Sequence, residues 1–105
     1  MDRGKSPPVN RMSYKIESHK RFRKDIKKVP KHHQKNIHRV ILELANNPKK
    51  KPPNSTALKG EKDVYRIRFG KYRLIVSLKH PAKEIFIIGV VPRGEVYKIL
   101  ERLLG

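Results

Sequence analysis

Val64-Tyr65-Arg66-Ile67-Arg68-Phe69-Gly70-Lys71-Tyr72-Arg73-Leu74-Ile75-Val76 is the stretch that decides the fold. Two runs rich in β-branched and aromatic residues flank Gly70-Lys71, and a two-residue turn with glycine first is the type II′ geometry that closes a tight hairpin. The turn sets the register. Phe69 pairs with Tyr72, Arg68 with Arg73 and Ile67 with Leu74, while Arg66 lies opposite Ile75. Residues two apart on a strand share a face, so Tyr65, Ile67, Phe69, Tyr72, Leu74 and Val76 line one side and Arg66, Arg68 and Arg73 the other. Like charges directly opposite each other across strands are destabilising. Arg68 facing Arg73 is therefore a cost, and it makes sense if an anion sits between them. A solvated outer sheet face is the plainer alternative, but arginine forks match phosphate oxygens bidentately and stay charged at physiological pH.

Outward from the hairpin, strands are predicted over 64–69 and 72–79, followed by a His80-Pro81-Ala82 turn. Residues 84–91 read as a further strand, apolar on both faces and so interior. Gly94 is expected to open a last helix with Val96, Ile99, Leu100 and Leu103 at helical spacing. Upstream, residues 47–63 form a loop rich in Pro, Lys and Asn. Before it, Ile37, Val40, Ile41 and Leu44 mark one face of a helix over about 31–46. Phe22, Ile26 and Val29 mark a shorter helix beginning near His19, with Ser18 as its N-cap and Pro30 at its end. Met12, Tyr14 and Ile16 alternate with polar residues, the period of a half-buried strand. Residues 1–11 are expected to be a flexible extension, and 12–105 a single domain. The order of strand, two-helix hairpin, three-stranded antiparallel meander and C-terminal helix is an α+β architecture.

The chain has 105 residues, 27 Lys+Arg against 9 Asp+Glu, and a net charge of +18. A solubility surface in a small domain needs only a net charge of about 2–8. The excess points to a polyanion, most simply nucleic acid, because each basic contact to phosphate releases counterions. No apolar run approaches the roughly 20 residues that span a bilayer, so no membrane role is expected. With no cysteine, disulfides, thiolate nucleophiles and cysteine–zinc sites are excluded, and a cytoplasmic location fits. His32, His33 and His38 lack the i, i+4 spacing of a helical metal pair, and no carboxylate cluster accompanies them, so neither a metal nor another cofactor is expected. His19 and His80 read as cap or turn residues.

Leu58-Lys59-Gly60, the 64–73 hairpin, and Pro92-Arg93-Gly94-Glu95-Val96-Tyr97-Lys98 together resemble the RelE/ParE superfamily of toxin–antitoxin toxins, on the RelE side. The resemblance covers essentially residues 12–104, including the order of elements. It implies a RelE-like microbial RNase fold and a metal-independent endoribonuclease that cuts messenger RNA in the ribosomal A site. The 2′-OH attacks the adjacent phosphate in such enzymes. It also implies a RelB-like antitoxin that neutralises the toxin in a hetero-oligomer. By position, Arg66 and Arg68 match the basic pair that grips RNA, Arg73 the arginine that stabilises the transition state, and Arg93 and Tyr97 the late residues of the catalytic site; Lys59, on the basic loop, is a further RNA-binding candidate, with a solvated loop the plainer alternative. A tyrosine with an ordinary pKa of about 10 is a poor base at neutral pH, so base and stacking platform both remain open roles for Tyr97. Many members carry a further His or basic residue where Val90-Val91-Pro92 stands here, which leaves the general acid unassigned. Two rivals stand beside this reading: a ParE-like inhibitor of DNA gyrase without nuclease chemistry, and a non-catalytic RNA- or ribosome-binding module.

Overall fold

The computed structural model describes residues 13–104, and the side chains of 103 and 104 lie outside that description. The elements run β1 (Lys15–Ser18), α1 (Arg21–Lys27), α2 (Lys31–Asn46), β2 (Ser55–Ala57), β3 (Val64–Phe69), β4 (Tyr72–Lys79), β5 (Glu84–Pro92), a 3-10 turn (Arg93–Glu95) and α3 (Val96–Leu104). One five-stranded sheet has the order β1-β5-β4-β3-β2. β1 is parallel to β5, and every other pairing is antiparallel. The fold is α+β, as the order of elements predicts. The expected N-terminal extension, and Met12 with it, falls outside the described residues. Among the described residues, no helix is long and apolar enough to cross a membrane.

The hairpin holds the predicted register, with Phe69 on Tyr72, Arg68 on Arg73, Ile67 on Leu74 and Arg66 on Ile75. Gly70 has φ +61°, and Lys71 is not among the positive-φ residues, as a type II′ turn requires. Alternation along these strands then builds two cores. On one face Ile67, Phe69, Leu74, Val76, Ile85 and Ile87 pack with Val29 and with Ile37, Val40, Ile41 and Leu44 of α2. On the other, Val64, Ile75, Ile88 and Val91 meet Leu58 and the Val96, Ile99 and Leu100 stripe of α3. Burying each such side chain contributes about 1.5–3 kcal/mol. β5 is interior, paired on both sides, and buried through nearly its whole length.

Alternation lets β5 serve both cores, and a bulge shifts its phase, so that Val90 joins Ile85 and Ile87 while Val91 joins Ile88. Ile75 pairs with Gly89 and Val76 with Ile87, leaving Ile88 without a partner in the β4 ladder. β1 ends its pairing at Ser18–Ile87, so the last part of β5 has no neighbour strand on that side. Asp25 of α1 fills the gap: its Oδ2 accepts the Val90 N–H at 3.0 Å inside the protein. The same carboxylate accepts Arg21 Nε at 2.8 Å and Nη2 at 3.2 Å. Gly89 leaves room for this strut, because a Cβ there would lie 2.7 Å from Asp25 Oδ2.

Several local expectations are corrected. The first strand runs Lys15–Ser18, later than its alternation suggests, and Ile16 is 40% exposed because β1 is an edge strand. Ser18 belongs to that strand and caps nothing. The cap position is Lys20, which makes no side-chain cap bond, and His19 one residue earlier accepts the Arg21 N–H on its Nδ1 at 3.1 Å. The 47–63 loop hides a short strand, β2, paired to β3. Gly94 sits within a 3-10 turn, and α3 begins two residues later at Val96.

Candidate nucleic-acid interface

Arg66 and Arg68 of β3, Arg73 of β4 and Arg93 after β5 line one open cleft of about 360 Å³, joined by Asn54 and Thr56. Sheet register makes this cluster. Thr56 pairs with Arg66, and Arg68 pairs with Arg73. Arg68 also donates its backbone N–H to the Asn54 carbonyl at 3.1 Å, which extends the β2–β3 ladder past Ser55. Arg93 arrives from the far end of the chain. Its backbone N–H donates to the Lys71 carbonyl at 2.9 Å, pinning it to the hairpin turn.

Two of the guanidiniums are oriented by neutral groups. Arg73 Nη1 donates to the Gly70 carbonyl at 2.9 Å and to the Tyr72 carbonyl at 3.0 Å. Arg68 Nη2 donates to Asn54 Oδ1 at 3.4 Å. Among the described residues no carboxylate lines the cleft, so no internal anion competes for these charges. Burial pushes the Arg73 guanidinium below its ordinary pKa, and the charges of Arg93, Arg68 and Arg66 push the same way. It remains a cation at neutral pH. Crowded, desolvated positive charge of this kind favours an anionic ligand.

Tyr97 and Lys59 do not join the four arginines at this cleft. They line a second hollow of about 360 Å³ with Glu61, Lys98, Leu100 and Glu101. The cause is the helix register: Val96, Ile99 and Leu100 face the core, so Tyr97 projects from the flank and is 55% exposed. Its exposed ring is free to stack on a base. The His32 and His33 rings lie 4.0 Å apart, and His33 meets Tyr72 edge-on at 6.3 Å. Among the described residues no three His, Cys, Asp or Glu side chains gather as metal ligands do.

Asn54 and Thr56 escape a reading of the sequence. Thr56 lies in a strand of only three residues, Ser55-Thr56-Ala57, and Asn54 stands between that strand and Pro52-Pro53. The one available signal is asparagine itself, which tolerates the left-handed backbone (φ +67°) that the chain adopts there.

Residues 16–97 match the family model of the ParE toxin of type II toxin–antitoxin systems, parDE. The chain belongs to the RelE/ParE superfamily of toxins. A RelE toxin of Methanocaldococcus jannaschii is 34% identical to this toxin over 88 residues, which span 83% of this chain and 98% of the relative. Among solved structures, the archaeal RelE–RelB complex of Pyrococcus horikoshii matches with a TM-score of 0.67 at 30% identity, covering 78% of this toxin and 97% of that chain. Free Escherichia coli RelE, as a mutant, gives a TM-score of 0.70 at 24% identity over 88% and 99% of the two chains, a likeness of fold alone.

Proposed function

We propose that this toxin is a ribosome-dependent endoribonuclease that cleaves messenger RNA in the A site and is neutralised by a RelB-like antitoxin. The observation that carries the reading is the single cleft walled by Arg66, Arg68, Arg73 and Arg93 with no carboxylate among its lining residues. Cleavage forms a bond from the 2′ oxygen to phosphorus and breaks the bond from phosphorus to the 5′ oxygen, leaving a 2′,3′-cyclic phosphate. The 2′-OH proton passes to a base, and the leaving oxygen takes up a proton. Negative charge builds on the phosphorane between these events, and preorganised cations aimed at it supply the largest share of catalysis. Arg73, held by two carbonyls, is assigned that task. Arg66 and Arg68 grip the flanking phosphates, and Arg93, the remaining arginine of the cleft, is the default acid. Tyr97, with Lys59 beside it, forms a neighbouring platform for a base. The antitoxin follows from the RelE–RelB assemblies of the archaeal relatives.

One observation favours a second reading. The matching family model is described as a ParE toxin, and a ParE-like toxin would inhibit DNA gyrase with no nuclease step. A translating extract with a defined message separates the two. We expect A-site cuts from the wild-type protein and a rate at least about 100-fold lower for Arg73→Ala, the scale of losing one preorganised transition-state donor. Tyr97→Phe, which keeps the ring, separates base from platform: large loss for a base, little for stacking. No cutting by the wild type removes the nuclease reading, and inhibited supercoiling puts the gyrase reading in its place. Equal cutting by both variants leaves the nuclease and removes the site.

A further inference from the structure

Two like charges face each other in the arginine cleft without a counter-ion. Arg68 and Arg73 are direct partners across β3 and β4, an arrangement that costs stability. Arg73 is drawn toward the turn by the Gly70 and Tyr72 carbonyls. Arg68 has a neutral acceptor on its opposite flank, because β2 lies on the side of β3 away from β4. That acceptor is Asn54 Oδ1, 3.4 Å from Arg68 Nη2. The bond is long and weak by itself, yet its geometry is backed by the shorter backbone bond from Arg68 to the Asn54 carbonyl. Asn54 sits there with φ +67°, a conformation open to glycine, asparagine and aspartate and costly to most other residues.

We propose that Asn54 is a positioning residue for Arg68, a neutral tether that holds the guanidinium apart from Arg73 and keeps the gap open for a phosphate of single-stranded RNA. Neutrality is the essential property. An aspartate at the same place would hold Arg68 more firmly, but it would cancel the charge and compete with the phosphate for the same fork. The amide does the holding and leaves the positive field intact. This inference rests on the cleft being the RNA site.

The test is equilibrium binding of a 2′-O-methylated, uncleavable single-stranded oligoribonucleotide across a salt series, with a thermal melt of each variant. Asn54→Gly keeps the backbone conformation and removes the tether. Its affinity is expected to fall about three- to tenfold with the salt slope unchanged. Asn54→Asp should lower the log–log salt slope by about 0.7, one phosphate contact on a single strand. The double variant N54G/R68A should bind no more weakly than Arg68→Ala alone, because the asparagine acts through that arginine. Full additivity in the double variant, or Asn54→Asp binding with wild-type affinity and slope, overturns the tether. A loss in Arg68→Ala with none in Asn54→Gly overturns the tether and leaves the RNA site standing. Unchanged binding by Arg68→Ala overturns both.

Discussion

Asp25→Ala is expected to lower both stability and site order, and the size of the effect follows from three bonds. The carboxylate is 7% exposed and accepts the Val90 N–H at 3.0 Å, Arg21 Nε at 2.8 Å and Arg21 Nη2 at 3.2 Å. Removing it strands the Val90 N–H, buried and beyond the reach of β1, at about 1–3 kcal/mol. Loss of the Arg21 pair adds about 0.5–1 kcal/mol, small because Arg21 is 28% exposed. Together these give about 1.5–4 kcal/mol. At about 4–8 °C per kcal/mol for a domain near this size, the melting temperature should drop by about 6–30 °C. Asp25→Asn retains an acceptor for Val90 and should fall between wild type and alanine. Val90 lies shortly before Arg93 on the same strand end, so the loosened strand should also weaken RNA binding. Thermal melts followed by circular dichroism, with hydrogen exchange at the Val90 amide, read both effects. An Asp25→Ala protein melting within about 3 °C of wild type, with the Val90 amide still protected, would refute the strut.

Gly89→Ala should cost about 1–3 kcal/mol by overpacking, since its Cβ would lie 2.7 Å from Asp25 Oδ2 and 3.0 Å from Ile99 Cδ1. The cost should shrink in the Asp25→Ala background, which a double-mutant cycle of melts would show. Gly70→Ala should cost about 1–2 kcal/mol through its φ of +61° and should weaken RNA binding, because the Gly70 carbonyl orients Arg73; denaturant unfolding and oligonucleotide titration check the two halves. Arg73→Met should melt no lower than wild type at about 10 mM salt. Any advantage of the variant should fade toward physiological salt, where the screening length falls from about 30 Å to about 8 Å. Arg73 has a depressed pKa in the fold, so its protonated form costs stability at every pH below that value. Relief comes only as pH rises through it, far above neutrality. A scan from pH 5 to 9 should therefore be flat for this contribution, and salt is the variable that reveals it.

The elements that sequence makes legible are those whose periodicity spans several residues. The hairpin was fixed by one glycine and two alternating runs, and α2 by Ile37, Val40, Ile41 and Leu44. β2 left no such trace, because Ser55-Thr56-Ala57 is too short to show a period, and its partner strand is what holds it. Ser18 looked like a cap because hydroxyls usually cap, yet parallel pairing with Ile87 claimed its residue for β1. At the cleft, Arg66, Arg68 and Arg73 follow from register alone. Arg93 needed the resemblance, since nothing local places it beside Lys71. Tyr97 is expected at the same site because the resemblance matches it to the late aromatic residue of the family. The turn of α3 instead carries it to the hollow with Lys59, a separation of faces that sequence proximity does not convey.

The division of the second sheet face explains how a small domain tolerates this charge cluster. Two cross-strand rows run from Thr56 through Arg66 and Ile75 to Gly89, and from Arg68 through Arg73 to Val91. In both, the charged positions lie toward β2 and the small or apolar positions toward β5. α3 covers the apolar half and stops short of the arginines, so the boundary between core and cleft runs between neighbouring strands. Both halves depend on the same register. A slip of one residue in the β3–β4 hairpin would turn the arginines into the α2 core and expose Ile67 and Leu74. The hydrophobic energy that fixes the register therefore also holds the like charges together, and the repulsion among four guanidiniums is offset by burial on the opposite face of the same strands. Three of the four arginines are thus set by the register of β3 and β4, and Arg93 is fixed to the hairpin turn by its backbone bond to Lys71.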